Sequence, residues 1–124
     1  MSNYILAAPK GLLIAGFLFA AYATAADAHH LSGTYNPSFS CKYATKAAER
    51  AVCSSWRLSR LDRRLAYWYG KAMERAYYFD MTSEVRSEQR RWLHQRNACG
   101  GKRWCLARKY RQRIRSLRNW ATHV

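Results

Sequence analysis

Acidic residues are scarce in this chain: seven Asp and Glu stand against 22 Lys and Arg in 124 residues, a formal net charge of +15. The few acids are dispersed, so no pair of carboxyl groups lies at a spacing suited to shared acid–base work. Serine and histidine lack a nucleophile–base pattern, and no Gly-rich phosphate loop is present, so the chain is read as a non-enzyme without a cofactor. The period-two alternation of a β-strand is missing, and so is any repeat of roughly 20–50 residues, which leaves an all-α reading without solenoid character. What the chain has in excess is positive charge. That favours anionic partners such as nucleic acid, anionic lipid or acidic cell-wall polymer, and says little about fold.

The N-terminus explains itself first. "MSNYILAAPK" is lightly positive, "GLLIAGFLFAAYA" is an uninterrupted apolar run, and small residues follow in Ala-x-Ala spacing at Ala23–Ala25 and Ala26–Ala28. This is the pattern of a secretory signal peptide at 1–25, with cleavage after Ala25 or Ala28. A membrane anchor is the competing reading, but the apolar run falls short of the ~20 residues that span a bilayer as a helix. The mature chain is then expected in the periplasm or secreted, and not as an integral membrane protein. About a hundred residues make one small domain whose core needs staples. Cys41, Cys53, Cys99 and Cys105 all lie in the exported part, where disulfides are the default. Of three possible pairings, Cys41–Cys53 with Cys99–Cys105 is preferred because each pair can be closed by one helix or turn.

Residues 26–40 read as a mobile leader, including His29 and His30, an exposed pair without a third metal ligand. "KYATKAAERAVC" reads as a short helix ending in the first cysteine pair. Next, Leu58, Leu61, Leu65, Trp68, Ala72, Ala76 and Phe79 recur at three- and four-residue steps, one apolar face of a long helix capped by Ser54 or Ser55, with Gly70 a mild cost inside it. Asp80 to Ser83 form a turn, with Thr82 or Ser83 as the next cap. A third helix carries Val85, Gln89, Trp92, Leu93 and Arg96 on its seam. Gly100–Gly101 break the chain, and Leu106, Tyr110, Ile114, Leu117 and Ala121 mark a fourth helix. The expectation is a disulfide-stapled bundle of about four helices, one of them short, over residues 41–121.

The stretch "QRRWLHQRNACGGKRWC" from Gln89 to Cys105 admits several chemistries. A metal clasp would need Cys99, Cys105 and His94 together, yet Cys-x5-Cys is not a tight zinc knuckle and the compartment favours oxidation. Lys102, Arg103, Arg108, Lys109, Arg111, Arg113, Arg115 and Arg118 follow without an intervening acid, interleaved with Trp104, Tyr110 and Trp120. Such a run can neutralise phosphates and stack on bases. An exported chain without a recognised nucleic-acid motif makes nucleic acid the lesser reading, and a solvated basic face adhering to lipid or wall polymer the plainer one.

Taken together, "PSFSC", the eleven residues to Cys53, "LSRLDRRL", "EQRRWLHQRNAC" and "CLARKYRQRIRSL" resemble the LprI family, small exported domains named for a bacterial lysozyme inhibitor. The resemblance runs from about Pro37 to Leu117. It implies a helical domain with the local disulfide pairing, and contact with lysozyme or another muramidase. It also implies a structural ion pair across the helices between Asp62 of the Leu-Asp motif and Arg96 of the Trp-Leu-x-x-Arg motif. For the Cys99–Cys105 loop, the inhibitor reading makes Lys102, Arg103 and Trp104 a preformed tip that meets the carboxyl groups of a glycosidase cleft. The plainer alternative folds Trp104 inward over the disulfide while the glycines merely turn the chain.

Overall fold

The computed structural model describes residues 35–123; the stretch read as a signal peptide and the leader as far as residue 34 lie outside them. A 3₁₀ turn at Cys41–Tyr43 is followed by α1 (Ala47–Cys53), α2 (Trp56–Tyr78), α3 (Thr82–Asn97) and α4 (Arg103–His123), with no strand among the described residues. The architecture is therefore all-α. Both disulfides pair locally, Cys41 with Cys53 and Cys99 with Cys105. No helix among the described residues is long and apolar enough to cross a membrane.

The first cysteine pair does not close a single helix. Glu49 turns back and accepts hydrogen bonds from the backbone N–H of Lys46 at 3.0 Å and of Thr45 at 3.1 Å. These bonds satisfy donors left open at a helix start, so α1 begins at Ala47 and the chain before it bends. The same bonds, led by that from Lys46, hold the Glu49 carboxyl below its ordinary range. Cys41 is thus carried by a 3₁₀ turn, and the disulfide ties that turn to the far end of α1.

In α2, Ser55 caps the start by accepting from the Leu58 N–H. Leu58, Leu65, Ala72 and Ala76 are buried as the spacing predicted, and Leu61 and Trp68 pack partly buried against the same core. Phe79 is exposed instead, because the helix has already ended at Tyr78. Its end is a left-handed cap: Asp80 takes φ 56°, its N–H reaches the Tyr77 carbonyl, and Met81 N–H bonds to the Ala76 carbonyl at 2.8 Å. This arrangement is a Schellman motif built on Asp rather than Gly. It also displaces the expected cap of α3. Met81 holds that position with no side-chain bond, while Ser83 Oγ is engaged with Glu84.

The three long helices form the body. Asp62 of α2 meets Tyr110 of α4, and further on the groove beside Glu74 and Tyr78 reaches Ala121 and Thr122, so α2 and α4 run parallel. Trp92 meets Lys109 and Gln89 meets Arg113, so α3 runs against α4. The α2–α4 interface is the most extensive in the molecule. Its buried centre holds Leu58, Leu106, Tyr110 and Leu117, each aliphatic side chain contributing roughly 1.5–3 kcal/mol by leaving water. Small Ser59 and Ala107 let the backbones approach, and Ser59 Oγ donates to the Val52 carbonyl at 2.8 Å, joining α1 to α2.

Candidate partner-binding site

The buried polar centre fixes the end of the bundle that carries the disulfides. Asp62 accepts from the Tyr110 hydroxyl at 2.9 Å on one oxygen and from the Ser38 N–H and hydroxyl, both at 2.6 Å, on the other. The Tyr110 hydroxyl in turn accepts from the Arg96 guanidinium at 3.4 Å. The implied Asp62–Arg96 ion pair is therefore not direct: a phenol stands between the charges, and the ion pair of Arg96 is with Glu49 at 3.7 Å. Asn97 Oδ1 takes two further guanidinium bonds and the ring of Trp92 lies under the charge. Burial, and then the Asp62 carboxylate, push the Tyr110 phenol well above its ordinary range, so it remains a donor. Asp62 is spent on structure. The Ser38 contact also ties down the end of the leader, read as mobile, helped by Tyr35 N–H to the Cys53 carbonyl at 2.9 Å and Arg63 to the Asn36 carbonyl.

A second cation read as solvated is also internal. Arg113 is buried between α3 and α4, paired with Glu88 at 2.9 Å and bonded to Gln89 Oε1 at 3.0 Å. A buried guanidinium without partners is too costly to keep, and the last acid of the sequence supplies one. It leaves the basic run on α4 one charge shorter than the sequence suggested.

The Cys99–Cys105 corner differs from the expected loop. Lys102 N–H bonds to the Cys99 carbonyl at 3.2 Å and the Lys102 carbonyl accepts from Leu106, so α4 begins immediately after it. Gly100 makes the bend with φ +55°. Arg103 and Trp104 thus stand on the first turn of a helix, not at a loop tip, and the disulfide fastens that turn to the end of α3. Trp104 does not fold inward: it is 66% exposed, with the Arg108 guanidinium 5.4 Å from its ring centre. Lys102 and Arg103 are exposed beside it. Both sulfurs are oxidised and His94 is exposed, so the metal clasp has no thiolates. Among the described residues no three His, Cys, Asp or Glu side chains gather in a metal-binding group.

The sequence reading missed a companion to Trp104. At the start of α2, Trp56 is 55% exposed and lies 5.3 Å under Arg60. Trp56-x-Leu58-x-Arg60 and Trp104-x-Leu106-x-Arg108 repeat the same spacing. They share the offset of 48 that separates Asp62 from Tyr110, so the two Trp–Arg pairs sit level on parallel neighbouring helices. The signal was legible as a five-residue repeat, but only helix register makes it spatial. Comparison with protein-family models, curated proteins and solved structures returns no match.

Proposed function

We propose that this is an exported, LprI-type inhibitor domain that acts in the bacterial envelope by contact, placing its Trp104 corner against the acidic cleft of a lysozyme-type muramidase. The observation that carries this reading is the exposed indole of Trp104, flanked by Lys102, Arg103 and Arg108 on a turn fixed by a disulfide. Trp and Arg are the side chains that most often dominate protein interfaces, and a cross-linked corner loses little freedom on binding. Its charge complements carboxyl groups in a glycosidase cleft and speeds encounter with an acidic target.

The test is muramidase activity on a soluble chitooligosaccharide in excess, titrated with the oxidised mature protein at physiological salt. A stoichiometric loss of activity is expected, abolished when Lys102, Arg103 and Trp104 are replaced together by Ala while the thermal midpoint holds. Inhibition that survives this replacement, or undiminished activity of several muramidases, overturns the reading.

A second reading, adhesion to anionic lipid or wall polymer, is favoured by one observation: no acid follows Glu88, and α4 presents Arg108, Arg111, Arg115 and Arg118 to solvent. Its mark is binding that weakens steeply and smoothly with salt rather than saturating one-to-one.

A further inference from the structure

The face of α2 and α4 that turns away from α3 is dominated by positive charge. On α2, Trp68, Lys71 and Arg75 line a groove of about 360 Å³ whose other wall is Ala121 and Thr122 at the end of α4; Tyr67, Glu74 and Tyr78 complete its lining. Steps of three and four residues back along α2 reach Arg64, Leu61 and Arg57, and the same steps back from Thr122 reach Arg118, Arg115, Arg111 and Arg108. Because the two helices run parallel, these residues form two rows side by side on one face. α3 packs on the opposite side of α4, through Trp92 to Lys109 and Glu88 to Arg113, and leaves the rows open. The eight cations of the rows are all exposed, and Leu61 and Trp68, packed partly buried against the core, form the floor.

The acids are sorted away from this face. Glu49, Asp62 and Glu88 are engaged with Arg96, Tyr110 and Arg113, and the acid that borders the groove, Glu74, is held by Lys71 at 3.0 Å. The α2 row from Arg57 to Arg75 is about 27 Å long, and successive cations of the α4 row stand about 4.5–6 Å apart along the helix axis. Seven of the eight are Arg, whose planar fork pairs with two phosphate oxygens at once and stays charged at any physiological pH.

Rows of this kind select an extended chain with closely and regularly spaced negative charge. Single-stranded nucleic acid also needs aromatic faces for successive bases. Here the indoles of the face, Trp68 in the floor and Trp104 one step beyond Arg108, lie about 18 Å apart along the axis, too far to stack neighbouring bases. An anionic membrane meets the Arg side chains but cannot enter the groove beside Trp68 and Thr122. A polyuronate holds its carboxylates on stiff rings that alternate in facing, so a one-sided surface meets only part of them. We infer that this two-helix face binds an extended, base-free phosphodiester chain of the polyol-phosphate type, which lies along the two rows and enters the groove at Trp68. This partner rests on the adhesion reading above, to which it gives a site and a chemistry, and it does not need the inhibitor corner.

The experiment is calorimetric titration of the oxidised mature protein with poly(glycerol phosphate), repeated from low to physiological salt. Binding is expected, with an affinity that falls linearly with salt on logarithmic axes. Arg57→Ser with Arg64→Ser on α2, and Arg111→Ser with Arg115→Ser on α4, each weaken it about tenfold or more and lower the salt slope by about 1 or more. Arg86→Ser with Arg90→Ser removes the same net charge from exposed positions on α3 and leaves affinity within about twofold at an unchanged slope. All three double variants are expected to keep the thermal midpoint, since these side chains are on the surface. Equal losses in the three variants overturn the two-helix site while leaving diffuse adhesion standing. Absence of binding to the polymer and to phosphatidylglycerol vesicles alike overturns the site and the adhesion reading together. Tighter binding of those vesicles, of single-stranded oligothymidylate or of polygalacturonate, compared at equal charge concentration, assigns the face to another partner and overturns the polyol phosphate.

Discussion

Tyr110 holds two buried charges with one hydroxyl, donating to Asp62 and accepting from Arg96. Replacing it by Phe keeps the ring packed on Trp92 but leaves both charges short of a partner, so Tyr110→Phe is expected to cost about 1–3 kcal/mol in denaturant unfolding. The same residue sets an alkaline limit. Its phenol is raised in the folded state, so the unfolded chain ionises first, near the ordinary value of 10.0, and stability falls as pH rises beyond that point. In Tyr110→Phe that alkaline fall should be shallower, which a series of thermal midpoints from pH 8 to 11 checks. Periodicity placed Tyr110 in the core, and the resemblance singled out Asp62 and Arg96. The hydroxyl between them was not legible, because helical spacing says which side faces inward but not which polar atom arrives there.

At the scale of elements, the apolar faces of α2, α3 and α4 were readable because long helices repeat their pattern many times. The ends were not, since a cap is decided by two or three backbone bonds. Asp80 illustrates the point: only its φ of 56° and the Met81-to-Ala76 bond show that it terminates α2 and so leaves Phe79 outside. Asp tolerates that conformation less well than Gly. Asp80→Gly is therefore expected to stabilise the domain by about 0.5–1 kcal/mol, read as a higher urea midpoint at unchanged slope. A lower midpoint would mean that the Asp side chain contributes more than the backbone strain it carries. The break before α1 has a similar origin, because Glu49 satisfies two backbone donors that the composition of "KYATKAAERAVC" would have placed inside a continuous helix.

For the whole molecule, the two disulfides and the Asp62–Tyr110–Arg96 centre occupy one end. The Cys41–Cys53 link also encloses the break between the 3₁₀ turn and α1, so its removal releases more chain than removal of Cys99–Cys105. In the loop-entropy account, replacing the first pair by Ser costs about 3 kcal/mol and the second about 2 kcal/mol. Chemical denaturation of the two double variants should show that order. If the proposed inhibitor reading holds, the second variant should, in addition, lose that inhibition before it loses helicity, since its corner is what presents Trp104.

The sequence by itself determined the all-α class, the number of helices, the pairing of the cysteines and the excess of positive charge. These are properties that many residues vote on, or that short loops permit in few ways. Tertiary structure alone decided that Arg113 is interior and Trp104 exterior, that Arg96 reaches Asp62 only through Tyr110, and that Trp56–Arg60 stands level with Trp104–Arg108. Each of these depends on how parallel helices are rotated and set against one another. That register is fixed by packing summed over the whole interface, and no local run of residues encodes it.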